Sequence, residues 1–312
     1  GSKLEIKEEL KTQDIMKVLI TGCHGLLGQR LVENAPEGYQ IIATDLSHDS
    51  KFIPEDIYEP CDLTDRDAVL QLVDYQQPDN IINAAAYTNV DGAEDERDLC
   101  WLVNVIAMEN LVQAARKVRA GIYHVSTDYI FDGTNGPYKE IDPPNPLGFY
   151  GHSKLAAEKV LQESPCYYTI ARTMVLYGPT QNQRPDFVGW LIHKLRQGDP
   201  VHIVTDQLGN TTLNDELANA LWQLVRASYH GIVNVAGREV ISRYDFALKI
   251  AEVFDLDASL INPIKTADLK QKAPRPLNSG LIVDKAINLL GLELSDVEGG
   301  LRKYKALLYE NV

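Results

Sequence analysis

Between residues 16 and 178, short apolar runs alternate with longer segments in which apolar residues recur at helical spacing. The apolar runs predict strands at 17–21, 40–44, 57–61, 80–84, 121–126 and 167–172. The amphipathic segments predict helices at 25–35, 64–75, 95–118 and 148–163. Because strands that alternate with helices form a parallel sheet covered on both faces, the pattern predicts an α/β, Rossmann-type doubly wound fold.

The pattern changes after residue 178. Helical spacing returns at 186–197, 214–227 and 242–254, a strand is predicted at 231–236, and a proline-rich run covers 273–277. We expect a ligand cleft between two parts of the chain. The expected parts are an NAD(P)-binding Rossmann domain at 16–178, with 206–237 packing back on it, and a smaller C-terminal substrate-binding lobe at 179–205 and 238–312. Residues 1–15 are charged, and are either a tag or a native N-terminal extension.

Composition narrows the class of protein. The chain has 312 residues, of which 45% are hydrophobic and 24% charged, as in ordinary globular proteins. Its net charge of −14 argues against nucleic acid and anionic membranes as partners. No apolar run approaches the roughly 18 residues of a membrane helix, and no secretory signal precedes the first strand, so we expect a cytoplasmic protein. The cysteines and histidines lack ligand spacing, so neither a metal site nor a disulfide framework is predicted.

A glycine-rich turn follows the first predicted strand. Residues 21–28 read Thr-Gly-Cys-His-Gly-Leu-Leu-Gly and continue into helical spacing. A strand, a tight turn and a helix N-terminus offer free N–H groups to a pyrophosphate, and glycine permits its close approach. The second predicted strand ends in Asp45, where a carboxylate can bond a ribose 2′-hydroxyl and would repel a 2′-phosphate. These features predict binding of NAD(H) or NADP(H), with NAD(H) slightly favoured.

Further cofactor contacts are expected where other strands end. Residues 84–86 are alanines, whose small side chains let a cofactor approach the backbone, unless they are only a well-packed corner. Asp62 precedes Leu63 after the third predicted strand, and either meets an adenine amino group or belongs to a loop. Asn104 interrupts an apolar helix, where it could brace the site or face solvent. The predicted cofactor contacts are Gly22, His24, Gly25, Leu26, Leu27, Asp45, Asp62, Leu63, Ala84, Ala85, Ala86, Asn104, Tyr150 and Lys154.

Three residues suggest acid–base chemistry on a carbonyl. Tyr150 and Lys154 are four apart in a predicted helix, so that they share one face. A nearby cation favours phenolate and lowers a tyrosine pKa from its usual value of about 10, as general acid–base catalysis requires. The hydroxyl of Thr127, at the end of a predicted strand, could polarise the carbonyl. In the C-terminal lobe, Arg275 could grip a phosphate as a fork, and a solvated surface arginine is the alternative.

Five motifs together resemble the extended short-chain dehydrogenase/reductase family and, within it, the dTDP-4-dehydrorhamnose reductase group. They are the glycine turn at 21–28, Asn-Ala-Ala-Ala-Tyr-Thr-Asn-Val-Asp at 83–91, Ser-Thr-Asp-Tyr-Ile-Phe-Asp-Gly at 126–133, Tyr-Gly-His-Ser-Lys at 150–154 and Arg-Pro-Leu-Asn-Ser at 275–279. The third motif is the most specific, and the resemblance spans 16–310. It implies that Thr127, Tyr150 and Lys154 are catalytic, and that a nucleotide sugar contacts Asn89, Val90, Thr127, Asp128, Tyr129 and Arg275.

The implied activity is hydride transfer from NAD(P)H to C4 of a nucleotide-linked 4-keto-6-deoxy sugar, with tyrosine as general acid, in deoxysugar and polysaccharide biosynthesis. The implied partner is this small substrate, and a homodimer is left open. Segment 172–177 lacks the group's tryptophan and 209–212 lacks its proline, which leaves the exact sugar open. Two other interpretations remain, namely a non-catalytic NAD(P)-binding regulatory subunit like the methionine adenosyltransferase beta subunit, and a sugar-nucleotide epimerase or dehydratase.

Overall fold

The structure is a computed structural model that describes residues 15–181 and 184–310. Its strands are Met16–Thr21 (β1), Tyr39–Thr44 (β2), Asn80–Asn83 (β3), Gly121–Thr127 (β4), Tyr168–Thr173 (β5), Leu176–Tyr177 (β6), Val201–Val204 (β7), Leu208–Asn210 (β8), Thr212–Leu213 (β9), Gly231–Asn234 (β10), Val240–Ser242 (β11) and Ile261–Ile264 (β12). Its α-helices are Leu26–Glu33 (α1), Arg66–Gln76 (α2), Gly92–Asp95 (α3), Arg97–Trp101 (α4), Ala107–Val118 (α5), Phe149–Glu163 (α6), Phe187–Arg196 (α7), Asn214–Arg226 (α8), Arg243–Val253 (α9), Thr266–Leu269 (α10) and Val297–Glu310 (α11). Residues 1–14 of the expected tag or extension lie outside the described residues.

Six parallel strands form the central sheet, in the order β10-β5-β4-β3-β1-β2. Successive side chains of a strand point to opposite faces. In β1, Val18 and Ile20 pack into the core on one face, while Leu19 packs into the core on the other. Since both faces are buried, the strand reads as an unbroken apolar run instead of alternating with polar residues. The prediction of an α/β, doubly wound parallel sheet is confirmed.

Helices cover both faces of the sheet. On one face α1 packs against α8, and the indole N–H of Trp222 donates to the Leu31 carbonyl oxygen at 3.0 Å. On the other face α2, α5 and α6 contribute Val69, Leu111 and Leu161 to one core. Segment 206–237 therefore contributes both a covering helix, α8, and an edge strand, β10, to the sheet.

The strand predicted at 57–61 is wrong. Pro54 precedes a 3-10 turn at Glu55–Ile57, and only one bridge, between Tyr58 and Ala43, joins the segment to β2. Only Ile57 of the predicted strand lies in that turn, and of the four residues that follow, only Tyr58 forms a bridge, so no continuous ladder with β2 develops. Pro60 has no N–H to offer to a further strand, so the sheet ends at this edge.

The single helix predicted at 95–118 is also wrong in detail. Glu96 has a non-helical backbone between α3 and α4, and a π-helical turn at Leu102–Ile106 separates α4 from α5. Such turns insert one residue into a helix and are frequent at functional sites. Asn104 lies within this turn, and its side-chain bonds to residues outside the helix hold the turn in place.

The C-terminal lobe has a core of its own. Helices α7, α9 and α11 pack around strands β7 and β12, and bury Leu191, Phe246, Ile250 and Leu301. Two short strand pairs, β11 with β8 and β6 with β9, lie between this core and the sheet. The lobe therefore faces the carboxyl edge of the sheet across a cavity.

Residues 15–181 and 184–310 contain neither a membrane-spanning helix nor a metal-binding cluster. No helix there is both long enough and apolar enough to cross a membrane. No three or more His, Cys, Asp or Glu side chains are grouped as a metal ion requires. The four cysteines are buried free thiols.

Candidate active site and cofactor cleft

The glycine turn joins β1 to α1. Gly22 has a φ of +67°, and a Cβ added to it would lie 2.7 Å from the backbone nitrogen of Ala85. A Cβ on Gly28 would overlap the Gly22 carbonyl oxygen. No side chain caps α1 at Gly25, so the orphan N–H groups of the first helical turn stay available to an anion.

A cleft of about 980 Å³ is lined by residues that follow the carboxyl ends of β1 to β5. Its lining includes the predicted cofactor contacts Gly22, His24, Gly25, Leu26, Leu27, Asp45, Asp62, Leu63, Ala84, Ala85, Ala86, Tyr150 and Lys154. The predicted substrate contacts Val90, Thr127, Asp128 and Tyr129 line the same cleft. In doubly wound folds, ligands bind at this edge of the sheet, and the volume is at the upper end of the range for ligand pockets.

Asp45 is held against the glycine turn. One of its carboxylate oxygens accepts the His24 N–H at 3.0 Å, and the other accepts the Leu46 N–H at 2.7 Å. The side chain is still 26% exposed, so its carboxylate is accessible from the cleft. Lys51 lines the same end of the cleft, and was not identified from the sequence. Charges of both signs therefore lie where the second strand ends.

Asn104 lies behind the cleft and does not line it. Its Oδ1 accepts the Tyr87 N–H at 2.8 Å, and its Nδ2 donates to Ser153 Oγ at 2.9 Å. Ser153 in turn donates to the carbonyl oxygen of Tyr150 at 2.7 Å. This chain of bonds ties the loop after β3 to helix α6, so in this structure Asn104 positions the cleft wall.

Tyr150 and Lys154 lie on the first two turns of α6, with relative exposures of 9% and 3%. Lys154 Nζ donates to the Val125 carbonyl oxygen at 2.9 Å, and burial lowers the pKa of Lys154 to about 8. Burial raises the pKa of Tyr150 well above its ordinary value, and a hydrogen bond with Thr127 offsets only part of that rise. The expectation that Lys154 lowers the tyrosine pKa is therefore wrong for this structure, because burial dominates.

A hydrogen-bonded chain at the end of β4 connects the sheet to the C-terminal lobe. Thr127 Oγ1 donates to Asp128 Oδ1 at 3.1 Å, and Ser279 Oγ donates to Asp128 Oδ2 at 2.5 Å. Burial raises the pKa of Asp128 to about 6, against the opposing effect of these hydrogen bonds. The Thr127 hydroxyl therefore lies beside an acid that changes protonation close to neutral pH.

A second cavity, of about 270 Å³, opens between the sheet and the C-terminal lobe. It shares lining residues with the cofactor cleft, so that the two are continuous. The shared residues are Asp128, Tyr129, Met174, Val175 and Leu176. The remaining lining includes Arg243 and Arg275 from the C-terminal lobe. A molecule in this cavity would lie next to the catalytic candidates.

Arg275 lines the second cavity, but its guanidinium is bound to Asp91. Its two terminal nitrogens donate to the two Asp91 carboxylate oxygens at 2.9 and 3.0 Å, and one of them also donates to the Ala273 carbonyl oxygen at 3.0 Å. The hydrogen bond from Arg275 holds the pKa of Asp91 below its usual range. The pair ties the lobe to the loop after β3. Asn89, in that loop, is exposed and lines neither cavity.

Sequence reasoning did not single out several side chains of this site. Asp91 and Ser279 lie inside two of the recognised motifs, and that membership was a signal that could have identified them. Arg243 and Lys51 lie in no motif, so their sequence context does not distinguish them from surface cations. Their place in the cavities follows only from the fold.

The sheet order, the glycine turn and the grouping of Thr127, Tyr150 and Lys154 define an oxidoreductase of the extended short-chain dehydrogenase/reductase class. Residues 16–309 match the model of the family described as RmlD substrate binding domain. The chain belongs to this family.

Similar proteins align over nearly the whole chain. It is 34% identical over 304 residues to the dTDP-4-dehydrorhamnose reductase of Aggregatibacter actinomycetemcomitans, covering 93% of this chain and 98% of that protein. It is 33% identical over 296 residues to a probable low-salt glycan biosynthesis reductase, Agl14, of Haloferax volcanii, with the same coverage of 93% and 98%. The solved dTDP-4-dehydrorhamnose reductase of Bacillus anthracis, in complex with NADP, superposes with a TM-score of 0.84 at 32% identity, covering 93% of this chain and 99% of that one.

Proposed function

We propose that this protein is an NAD(P)H-dependent reductase that acts on C4 of a nucleotide-linked 4-keto-6-deoxy sugar in deoxysugar biosynthesis. The observation that carries the proposal is the continuity of the cofactor cleft with a second cavity at Asp128 and Tyr129, beside Thr127 and Tyr150. A carbonyl at this junction is accessible both to a cofactor in the cleft and to two hydroxyl groups. The relatives named dTDP-4-dehydrorhamnose reductase support this substrate class.

The residues of the cleft fit a nicotinamide dinucleotide. The uncapped first turn of α1 offers N–H groups to a pyrophosphate, and Gly22 leaves the backbone accessible there. The small residues 84–86 leave room at the end of β3. The NADP in the related Bacillus anthracis structure supports this use of the cleft. When bound, the nicotinamide supplies the hydride.

Tyr150 acts as the general acid in this proposal. Burial keeps its pKa high, so the phenol is neutral and holds the proton that the C4 oxygen takes up as negative charge develops. Thr127 donates a second hydrogen bond to the same oxygen once its hydroxyl turns from Asp128. Lys154, whose pKa is about 8, is mainly protonated at neutral pH, and its charge stabilises the phenolate that remains.

The choice between cofactors follows from the charges beside the second strand. The Asp45 carboxylate favours a ribose 2′-hydroxyl over a 2′-phosphate, because two negative groups there repel each other. Lys51 carries a positive charge at the same end and offsets part of that repulsion. We infer a modest preference for NADH, with NADPH also accepted.

The test is to incubate the protein with NADH or NADPH and a panel of nucleotide-linked 4-keto-6-deoxy sugars, and to follow the absorbance of the reduced nicotinamide. We expect NADH or NADPH to be oxidised only when a suitable sugar is present. Cofactor binding without turnover of any sugar would instead indicate a regulatory subunit. A second panel of nucleotide-linked 4-hydroxy sugars tests the other interpretation, because their conversion without net oxidation or reduction of the cofactor would indicate an epimerase or dehydratase.

A further inference from the structure

The second cavity contains two cationic side chains among its described lining residues, Arg243 and Arg275. The protein carries a net charge of −14, and Asp128 and Asp186 line the same cavity. A nucleoside diphosphate is anionic, so it needs a local cation to bind here. The two arginines differ in whether their guanidinium groups are already paired.

Arg275 is paired. Both of its terminal nitrogens bind the Asp91 carboxylate, and one also binds the Ala273 carbonyl oxygen. To take a phosphate in the same bidentate way, Arg275 would have to leave Asp91 as a half-buried carboxylate without its cation. Such an exchange costs free energy, because the partly buried Asp91 carboxylate would lose two hydrogen bonds from a charged donor.

Arg243 has no such partner among residues 15–181 and 184–310. No carboxylate there forms an ion pair or a hydrogen bond with its guanidinium, whose carbon lies 4.7 Å from the centre of the Phe187 ring. The positive charge of Arg243 also acts on the catalytic side of the cavity. It lowers the pKa of both Asp128 and Tyr129, whereas burial raises them.

The position of Arg243 in the fold, like its charge, favours the binding of an anion. It is the first residue of α9, whose 11 residues present a positive dipole end where Ser242 and Arg243 line the cavity. The Ser242 hydroxyl caps the helix by accepting the Asp245 N–H at 3.0 Å, and the backbone N–H of Arg243 donates to the Gln207 carbonyl oxygen at 3.0 Å. The backbone is therefore fixed, and Phe187 restricts the side chain.

We propose that Arg243 is the cation that grips the diphosphate of the nucleotide sugar, and that the Arg275–Asp91 pair is a structural clamp between the lobe and the loop after β3. The inference rests on the proposed function, whose substrate is a nucleoside diphosphate sugar. It assigns the specificity for the diphosphate to a residue that lies outside every recognised motif.

The test measures binding of thymidine diphosphate, thymidine and NADH by calorimetry. Arg243→Gln should raise the Kd for thymidine diphosphate by about 10- to 100-fold, as expected for lost hydrogen bonds to a charged group. The Kd values for thymidine and for NADH should stay within twofold. Arg238→Gln is the matched control, because this arginine of the same lobe is exposed and paired with Asp296. It should change none of the three values.

Arg243→Lys provides a second variant should the glutamine variant lose NADH binding through misfolding. It keeps the charge but not the fork, so its Kd for thymidine diphosphate should rise by a smaller factor. In turnover, both variants should raise KM for the sugar nucleotide more than they lower kcat. An unchanged Kd for thymidine diphosphate in both variants overturns the inference. A Kd for thymidine that rises by the same factor as that for thymidine diphosphate overturns it as well. If the unmodified protein neither binds thymidine diphosphate nor reduces any nucleotide sugar, the proposed function itself is wrong.

Discussion

Lys154 donates a hydrogen bond from Nζ to the main-chain carbonyl oxygen of Val125, 2.9 Å away, on the strand that ends in Thr127. This bond fixes the ammonium between β4 and α6, one helical turn from Tyr150. Because burial keeps the Tyr150 phenol neutral, the cation acts on the charge that appears when the proton leaves. The pair is therefore arranged to deliver a proton to a substrate oxygen.

Replacing Tyr150 by phenylalanine removes the proton donor and keeps the ring. We expect kcat to fall by roughly 10²–10⁴, the usual range for general acid–base catalysis. The Kd for NADH, measured by fluorescence titration, should change little, and that measurement serves as the control for folding. Full turnover by the phenylalanine variant would disprove the catalytic role of Tyr150.

Asp128 should make stability depend on pH. Its folded-state pKa of about 6 lies above the ordinary carboxyl value of 3.8, so between these values the folded protein holds a proton that the unfolded chain has lost. The contribution of Asp128 to stability is thus complete below about pH 4, and is lost as the pH rises through 6. The amide of Asp128→Asn does not titrate. The free energy of unfolding of this variant should therefore rise, relative to that of the unmodified protein, by up to about 3 kcal/mol between pH 4 and pH 7.5.

Urea denaturation of both proteins across this pH range measures that difference. Other titrating groups are common to the two proteins, so they cancel when the free energies of unfolding are subtracted. A difference that is flat with pH would show that Asp128 ionises in the folded state as an ordinary carboxyl group does, and one that falls as the pH rises would show a folded-state pKa below the ordinary value. Either result would contradict the raised pKa.

Gly22→Ala tests the glycine turn, and Gly38→Ala is its control. Both glycines have positive φ, but a Cβ on Gly38 meets nothing within 4 Å, whereas one on Gly22 presses on the backbone of Ala84 and Ala85. Gly38→Ala should cost about 1–2 kcal/mol of stability for the left-handed backbone alone. Gly22→Ala should cost roughly 3 kcal/mol or more, because overpacking adds to that strain, and should weaken NADH binding. An equal loss of stability in the two variants would contradict the close contact between Gly22 and the backbone of Ala84 and Ala85.

Asp45→Asn tests the cofactor preference. The amide keeps an oxygen that can accept a backbone N–H, but lacks the charge that opposes a 2′-phosphate. The Kd for NADPH relative to that for NADH should fall by roughly fivefold, corresponding to about 1 kcal/mol at a partly exposed site. The unmodified protein should bind NADH somewhat more tightly. Tenfold tighter binding of NADPH by the unmodified protein would refute the preference.

Sequence alone predicted the parts of the molecule that local rules determine. The apolar run before Gly22 and the glycines after it required a strand, a turn and a helix, and the structure has all three. The spacing of Tyr150 and Lys154 placed both on one face of a helix, and both line the cleft.

The rest depended on contacts between distant segments. The π-helical turn around Asn104 follows from bonds to Tyr87 and Ser153, and helical spacing does not encode them. The raised pKa of Tyr150 comes from burial, which only the packed site reveals. Arg243 resembles a surface residue in the sequence, because neither Phe187 nor the cavity is adjacent to it along the chain.

Reduction at C4 is tested most directly by NMR, by following deuterium into the sugar product from NADH that carries deuterium at both hydrogen positions of nicotinamide C4. We expect one deuterium at C4 of the reduced sugar, with formation of this product slowed roughly 10²–10⁴-fold by Tyr150→Phe. Deuterium at another carbon, or oxidation of NADH without label in the sugar, would contradict reduction at C4.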